Sequence, residues 1–117
     1  MRARHHVRGL AQEAGLRLID QTKIVTAVSE LARNTVVHGG GGHMSAGIIH
    51  SAGRAGVWAA FADDGPGIAD TEQALREGFS TGSGLGLGLG GARRLVHDFE
   101  LHSTTGEGTT VRVVAWR

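Results

Sequence analysis

Apolar residues along the chain fall into two spacings, and each spacing predicts its own kind of element. Over residues 3–14, Val7, Leu10 and Ala11 share one helical face, and Gly15 follows as a stop. Asp20 can cap a second helix running to about Val37. Within it Ile24, Val25, Val28, Leu31, Ala32 and Thr35 recur three and four residues apart, an amphipathic stripe. Gly39 to Gly42 end it. Residues 45–51 and 55–62 read instead as strands joined by the turn Gly53-Arg54-Ala55-Gly56, the second strand apolar along most of its length. Asp63 to Ile68 is a turn built around Pro66, the only proline. Asp70 or Thr71 can cap a short helix to about Glu77. A glycine loop then leads into a helix to about His97. Residues 99–103 and 109–116 close the chain as strands around Thr105-Gly106-Glu107-Gly108. The predicted order is helix, helix, hairpin, helix, helix, hairpin. It gives an α+β two-layer sandwich, with helices on one face of a mostly antiparallel sheet.

Composition narrows the function classes. The 117 residues suit one domain spanning 1–117, with no internal repeat and no linker. A formal net charge of +1 makes no electrostatic case for nucleic acid, and aromatic residues at 4% argue against a base-stacking platform. The absence of cysteine excludes disulfides and thiolate catalysis. With no signal peptide and no long apolar run, the sequence reads as cytoplasmic and not membrane-bound. The 20 glycines are concentrated at 39–42 and 78–91, which is local loop chemistry rather than low complexity.

Three motifs carry candidate chemistry. In Glu30-Leu31-Ala32-Arg33-Asn34-Thr35-Val36-Val37-His38-Gly39, the residues Glu30, Asn34 and His38 line one side of the second helix at the edge of its apolar stripe. A carboxylate one turn from a carboxamide suits magnesium, which keeps several waters and takes few protein oxygens beside substrate phosphates. Alone, the same pattern better describes a solvated polar face with a histidine at the helix end. The second motif, Ala62-Asp63-Asp64-Gly65-Pro66-Gly67-Ile68, directly follows the apolar strand. Asp63 can accept a hydrogen bond from the amino group of a base, and Gly65 and Gly67 let the backbone approach a planar ligand. Alone, it is also a tight turn with a capping aspartate. The third is the glycine loop, with glycines at every second position from Gly82 to Gly90 and leucines between. Unshielded backbone amides ahead of a helix are a usual way to hold phosphate oxygens. Thr109, on the closing strand, can reach the base or a water on it, or can simply be a β-branched strand residue.

Together and in this order, the three motifs resemble those of the GHKL superfamily of ATP-binding domains (gyrase, histidine kinase and MutL type). In that resemblance Glu30 to His38 looks like the N box, Asp63 to Gly67 the first glycine box, and Gly82 to Gly88 the second. Three segments narrow the likeness to RsbT-like serine/threonine switch kinases of bacterial partner-switching pathways. They are Ser29-Glu30-Leu31-Ala32-Arg33-Asn34, Asp64-Gly65-Pro66-Gly67-Ile68, and Gly78-Phe79-Ser80-Thr81 through Arg94-Leu95. The anti-sigma-factor kinases are near relatives. The resemblance spans about residues 7–117 and implies the histidine-kinase-like (Bergerat) fold. It implies Mg2+ carried by ATP on Asn34, Glu30 as general base toward an acceptor hydroxyl, and Asp63 on the adenine amino group beside Gly65, Gly67 and Ile68. It also implies an ATP lid on the phosphates from Gly82, Ser83, Gly84, Leu85, Gly86, Leu87 and Gly88, with His38, Arg33 and Arg93 as weaker candidates for phosphate charge. The implied substrate is a STAS-domain antagonist protein, and the implied partners are a PP2C-type phosphatase or a sigma factor in a stress-response cascade. The short segment between Ile68 and Gly82 fits a stand-alone serine kinase better than a detached histidine-kinase domain.

One departure and two rival readings complete the expectations. Relatives generally begin with a further strand and a longer first helix, whereas this sequence starts at Met1 with Arg2-Ala3-Arg4-His5-His6 inside that helix. A misassigned or truncated start is the better explanation, and a sheet lacking that strand has an edge prone to pairing. The edge and the apolar helix faces leave a homodimer and a hetero-partner equally open. The first rival is a nucleotide-gated anti-sigma or partner-binding switch, which sequesters a partner such as a sigma factor with no essential phosphoryl transfer. The second, a zinc site of His38, His43 and His50, lacks the ligand spacing usual for zinc.

Overall fold

The structure, a computed structural model, describes residues 2–37, 40–68, 75 and 88–117. Helix α1 (Arg2–Glu13) buries Val7 and Ala11 and ends as the sequence predicts. Gly15 takes φ +80°, its N–H donates to Gln12 O at 3.1 Å, and Leu16 N–H donates to Ala11 O at 3.0 Å. This is a Schellman closure, and it folds the buried Leu16 back over Ala11. Helix α2 (Leu18–Val37) starts ahead of the predicted cap. Arg17 O accepts from Gln21 N–H, so Asp20 lies inside the first turn, where its carboxylate meets the helix dipole and accepts from Arg17 Nε at 3.2 Å. Ile24, Ala27, Val28 and Leu31 form the buried stripe of α2.

Four antiparallel strands follow: β1 (Gly42–Ser51), β2 (Arg54–Asp63), β3 (Asp98–Thr104) and β4 (Gly108–Trp116), in the spatial order β1-β2-β4-β3. The β1–β2 turn is tighter than predicted. Ser51 pairs with Arg54 around Ala52-Gly53, both at positive φ (52° and 79°), the geometry of a two-residue hairpin whose twist suits the strands. Strand β1 also starts earlier than predicted, because Gly42 pairs with Asp63 instead of belonging to the loop. Val57, Ala59 and Phe61 of β2 and Val111, Val113 and Ala115 of β4 point to the helices and close the core. On the other face Trp58 lies over Gly47 and Trp116 over Gly56. Thus β2 alternates between two environments and is not apolar on both sides for the same reason.

Helix α3 (Gly88–Arg94) packs on α2 through the buried Gly90 and Ala92. It is shorter than the predicted run to His97. Leu95 N–H closes back on Ala92 O at 3.1 Å, and His97, just before β3, is hydrogen-bonded to the sheet. Its N–H donates to Val114 O, and its Nδ1 accepts from Trp116 N–H at 2.9 Å. The predicted helix to Glu77 and the glycine loop through Leu87 lie outside the described residues, apart from the isolated Leu75. Among the described residues no helix is long and apolar enough to cross a membrane.

Candidate functional site

The sheet register gathers the candidate residues at one end of the sandwich. Asp63 is the last residue of β2 and pairs with Thr109 of β4, which pairs in turn with Ser103 of β3. Directly paired residues share a face, and Asp63 sits two positions beyond the buried Phe61. Asp63, Thr109 and Ser103 therefore stand on the helix-bearing face. The C-terminal end of α2 reaches the same end of the sheet. Gly41 N–H donates to Thr35 O at 3.0 Å, and a side chain on Gly42 would strike both the Ala62 carbonyl and Thr35 Cγ2. Glycine at 42 thus brings Asn34-Thr35 beside Ala62-Asp63, two motifs far apart in sequence.

On α2, Glu30 and Asn34 are half-buried next to the fully buried Leu31, the edge position their spacing predicts. Arg33 is half-buried as well, and Arg93 is exposed in the last turn of α3. Asp63 is half-buried, and its Oδ1 accepts from Gly65 N–H at 2.9 Å. That bond fixes the carboxylate with its other oxygen carrying no hydrogen bond among the described residues, an acceptor suited to an amino group.

The turn after Asp63 is clamped against the β3–β4 turn. Gly106 N–H donates to Pro66 O at 2.7 Å. Gly67 has φ +77°, and a Cβ there would run into the Thr104 carbonyl. Gly108 has φ +114°, and a Cβ there would run into the Asp63 carbonyl. Both positions need glycine for conformation and for close approach. Ile68 N–H donates to Ser103 Oγ at 2.6 Å. Ser103 Oγ also lies 3.2 Å from Gly108 O, to which it can donate, and 2.9 Å from Thr109 Oγ1.

Several expectations find their place here and others do not. Glu30, Asn34, Asp63, Gly65, Gly67, Ile68 and Thr109 come to one end of the molecule. His38, Gly82, Ser83, Gly84, Leu85, Gly86 and Leu87 lie outside the described residues, and Gly88 is the first residue of α3. His43 and His50 occupy opposite ends and opposite faces of β1, so they cannot share a metal ion. Sequence reasoning missed Ser103 and the clamp made by Gly108. A signal for Ser103 was present. Phe99 and Leu101 mark the inward positions of β3, and Ser103 continues that alternation as a hydroxyl where an apolar residue would be expected.

Comparisons with known proteins bear on the family and the fold. The family described as "Histidine kinase-, DNA gyrase B-, and HSP90-like ATPase" matches residues 19–116. The chain is 41% identical over 114 residues to "Serine/threonine-protein kinase RsbT" of Bacillus subtilis (strain 168), covering 97% of this chain and 86% of that protein. Among solved structures, "Mycobacterial sensor histidine kinase MprB" superposes with a TM-score of 0.56 at 22% identity, covering 82% of this chain and 71% of that one. The last likeness concerns the fold, a histidine-kinase-like α+β sandwich. From the motif order, the register and the match to residues 19–116, the chain belongs to the histidine kinase-, DNA gyrase B- and HSP90-like ATPase family.

Proposed function

We propose that the chain is an ATP-dependent serine/threonine protein kinase of a partner-switching pathway, acting in the cytoplasm on a STAS-domain antagonist protein. The observation that carries the reading is the juxtaposition of Asp63 and Thr109 with the end of α2 that bears Glu30 and Asn34. The kinase relative at 41% identity supports it. Asp63 accepts from the adenine amino group, and Thr109 faces the same ring. Gly65, Gly67 and Ile68 form the wall the ring lies against. Asn34 would offer its carboxamide oxygen to a Mg2+ accompanying the phosphates, and the glycines from Gly82 to Gly88 would supply backbone amides to them, as the resemblance implies.

The reaction balances with these parts. The acceptor serine or threonine oxygen forms a bond to the γ-phosphorus, the bond from that phosphorus to the β,γ-bridging oxygen breaks, and ADP leaves. Glu30 takes the hydroxyl proton. Phosphoryl transfer depends on positioning and charge stabilisation more than on covalent chemistry, so a bound metal, backbone amides and one base suffice. Phosphorylation of the antagonist releases the kinase to a second partner, a PP2C-type phosphatase or a sigma factor. The test is transfer of labelled phosphate from ATP to a cognate STAS protein. Transfer should fall about 10²–10⁴-fold in Glu30→Ala with ATP still bound. Unchanged signalling in cells carrying Glu30→Ala would instead favour a nucleotide-gated binding switch.

A further inference from the structure

A groove of about 230 Å³ opens between α1 and α2, lined by Arg4, His5 and Arg8 of α1 and by Val25 of α2. Arg4 and Arg8 lie one turn apart on the same side of α1, so their charges repel. Among the described residues neither arginine makes an ion pair. The one acidic residue of α1, Glu13, lies at the far end of the helix, and Asp20 is engaged by Arg17. The floor of the groove continues along α2. At 100° per residue, Leu18 and Val36 project within about 20° of Val25. Both are exposed, at 72% and 66%, although Val25 between them is buried. Half-buried Ala32 falls on the same line. The result is an apolar stripe about 27 Å long from Leu18 to Val36, open at both ends and flanked by two cations at the groove.

We propose that this groove docks an acidic, amphipathic helical segment of a protein partner. Carboxylates of the segment pair with Arg4 and Arg8, and apolar side chains at helical spacing cover Leu18, Val25 and Val36. Other anionic occupants match only half of this surface. A nucleic-acid backbone brings phosphates but no apolar row for Leu18 and Val36, and a net charge of +1 with 4% aromatic residues gives it little further hold. An anionic membrane calls for a cluster of about 4–8 cations, whereas two arginines line the groove. The groove is also separate from the nucleotide end. Val25 precedes Asn34 on α2 by about 13.5 Å of helix rise. Docking here goes beyond the kinase reading and does not depend on phosphoryl transfer.

The probe is a synthetic helical peptide long enough to span the stripe, about 18 residues, with leucines at helical spacing and glutamates between them. Beside it run the same peptide with lysine for every glutamate, and polyglutamate without leucine. Fluorescence anisotropy reads binding to the full chain, to Arg4→Glu with Arg8→Glu, and to Leu18→Ser with Val36→Ser. The leucine–glutamate peptide should bind the unaltered chain and weaken as salt rises. It should lose about ten- to hundredfold in affinity for the arginine variant and about tenfold for the serine variant. The lysine and polyglutamate peptides should bind at least about tenfold more weakly. Leu18 and Val36 are exposed, so the serine variant keeps its fold even where the arginine variant does not. Equal binding of the leucine–glutamate peptide to all three proteins, or none to the unaltered chain, overturns the proposal. So does tighter binding of single-stranded DNA or phosphatidylserine vesicles at the two arginines. Mg-ATP affinity should be the same in all three proteins. An unaltered chain that binds the peptide but not Mg-ATP would strike the kinase reading and leave the docking site standing.

Discussion

Gly53 and Gly67 have nearly the same backbone conformation, at φ +79° and +77°, in very different surroundings. A Cβ on Gly53 would meet nothing within 4 Å, whereas on Gly67 it would run into the Thr104 carbonyl. The pair therefore separates conformational strain from packing. Holding a residue with a Cβ in the left-handed region costs about 1–2 kcal/mol, and that is the whole expected cost of Gly53→Ala. Gly67→Ala carries the same cost plus that of forcing apart two clamped turns, typically about 1–3 kcal/mol more. The expected losses are about 1–2 kcal/mol and about 2–5 kcal/mol respectively. For a chain of this size they correspond to a fall in Tm of about 4 °C per kcal/mol. Urea unfolding of both variants at matched m-value is the assay. Mg-ATP affinity should follow the same order, because only Gly67→Ala shifts the Ile68 amide and the wall beside Asp63. Equal destabilisation of the two variants, or equal ATP affinity, would refute the claim that the first glycine box is clamped by the β3–β4 turn.

Two further outcomes follow from the same structure. Leu31→Ala removes a side chain 1% exposed between α2 and the sheet, and should cost about 2–5 kcal/mol in urea unfolding. Replacing Arg54 by Ala removes a guanidinium 5.3 Å from the Trp116 ring centroid on the exposed sheet face; it should cost no more than about 1 kcal/mol and leave ATP affinity unchanged.

What the sequence revealed and what it hid have separable physical causes. The buried stripe of α2 was legible because Ile24, Val28 and Leu31 repeat at the helical period, and Gly15 announced the end of α1 through a closure only a left-handed residue makes cheaply. Asp63 stood out because a carboxylate ends an apolar strand just ahead of two glycines. The order β1-β2-β4-β3 was not legible, since the β2–β4 pairing joins strands far apart in the chain and no local pattern encodes it. The early end of α3 escaped for the same reason. Leu95, Val96 and His97 continue a helical pattern, but His97 is held by Val114 and Trp116, distant partners that win over local propensity. Ser103 was missed although it continues the inward alternation of Phe99 and Leu101, because only the register places that hydroxyl beside Thr109 and Ile68.

The central claim is that the end of the sheet bearing Asp63 and Thr109, beside Asn34 on α2, holds Mg-ATP. Calorimetric titration of the full chain with ATP, with and without Mg2+, tests it most directly when run beside Asp63→Asn and Asn34→Asp. The account predicts saturable, magnesium-dependent binding, weakened about ten- to hundredfold in Asp63→Asn, which exchanges the carboxylate for an amide while preserving the turn. In Asn34→Asp the magnesium dependence should change. A folded protein that gives no saturable heat, or binding that is the same in all three proteins, would contradict it.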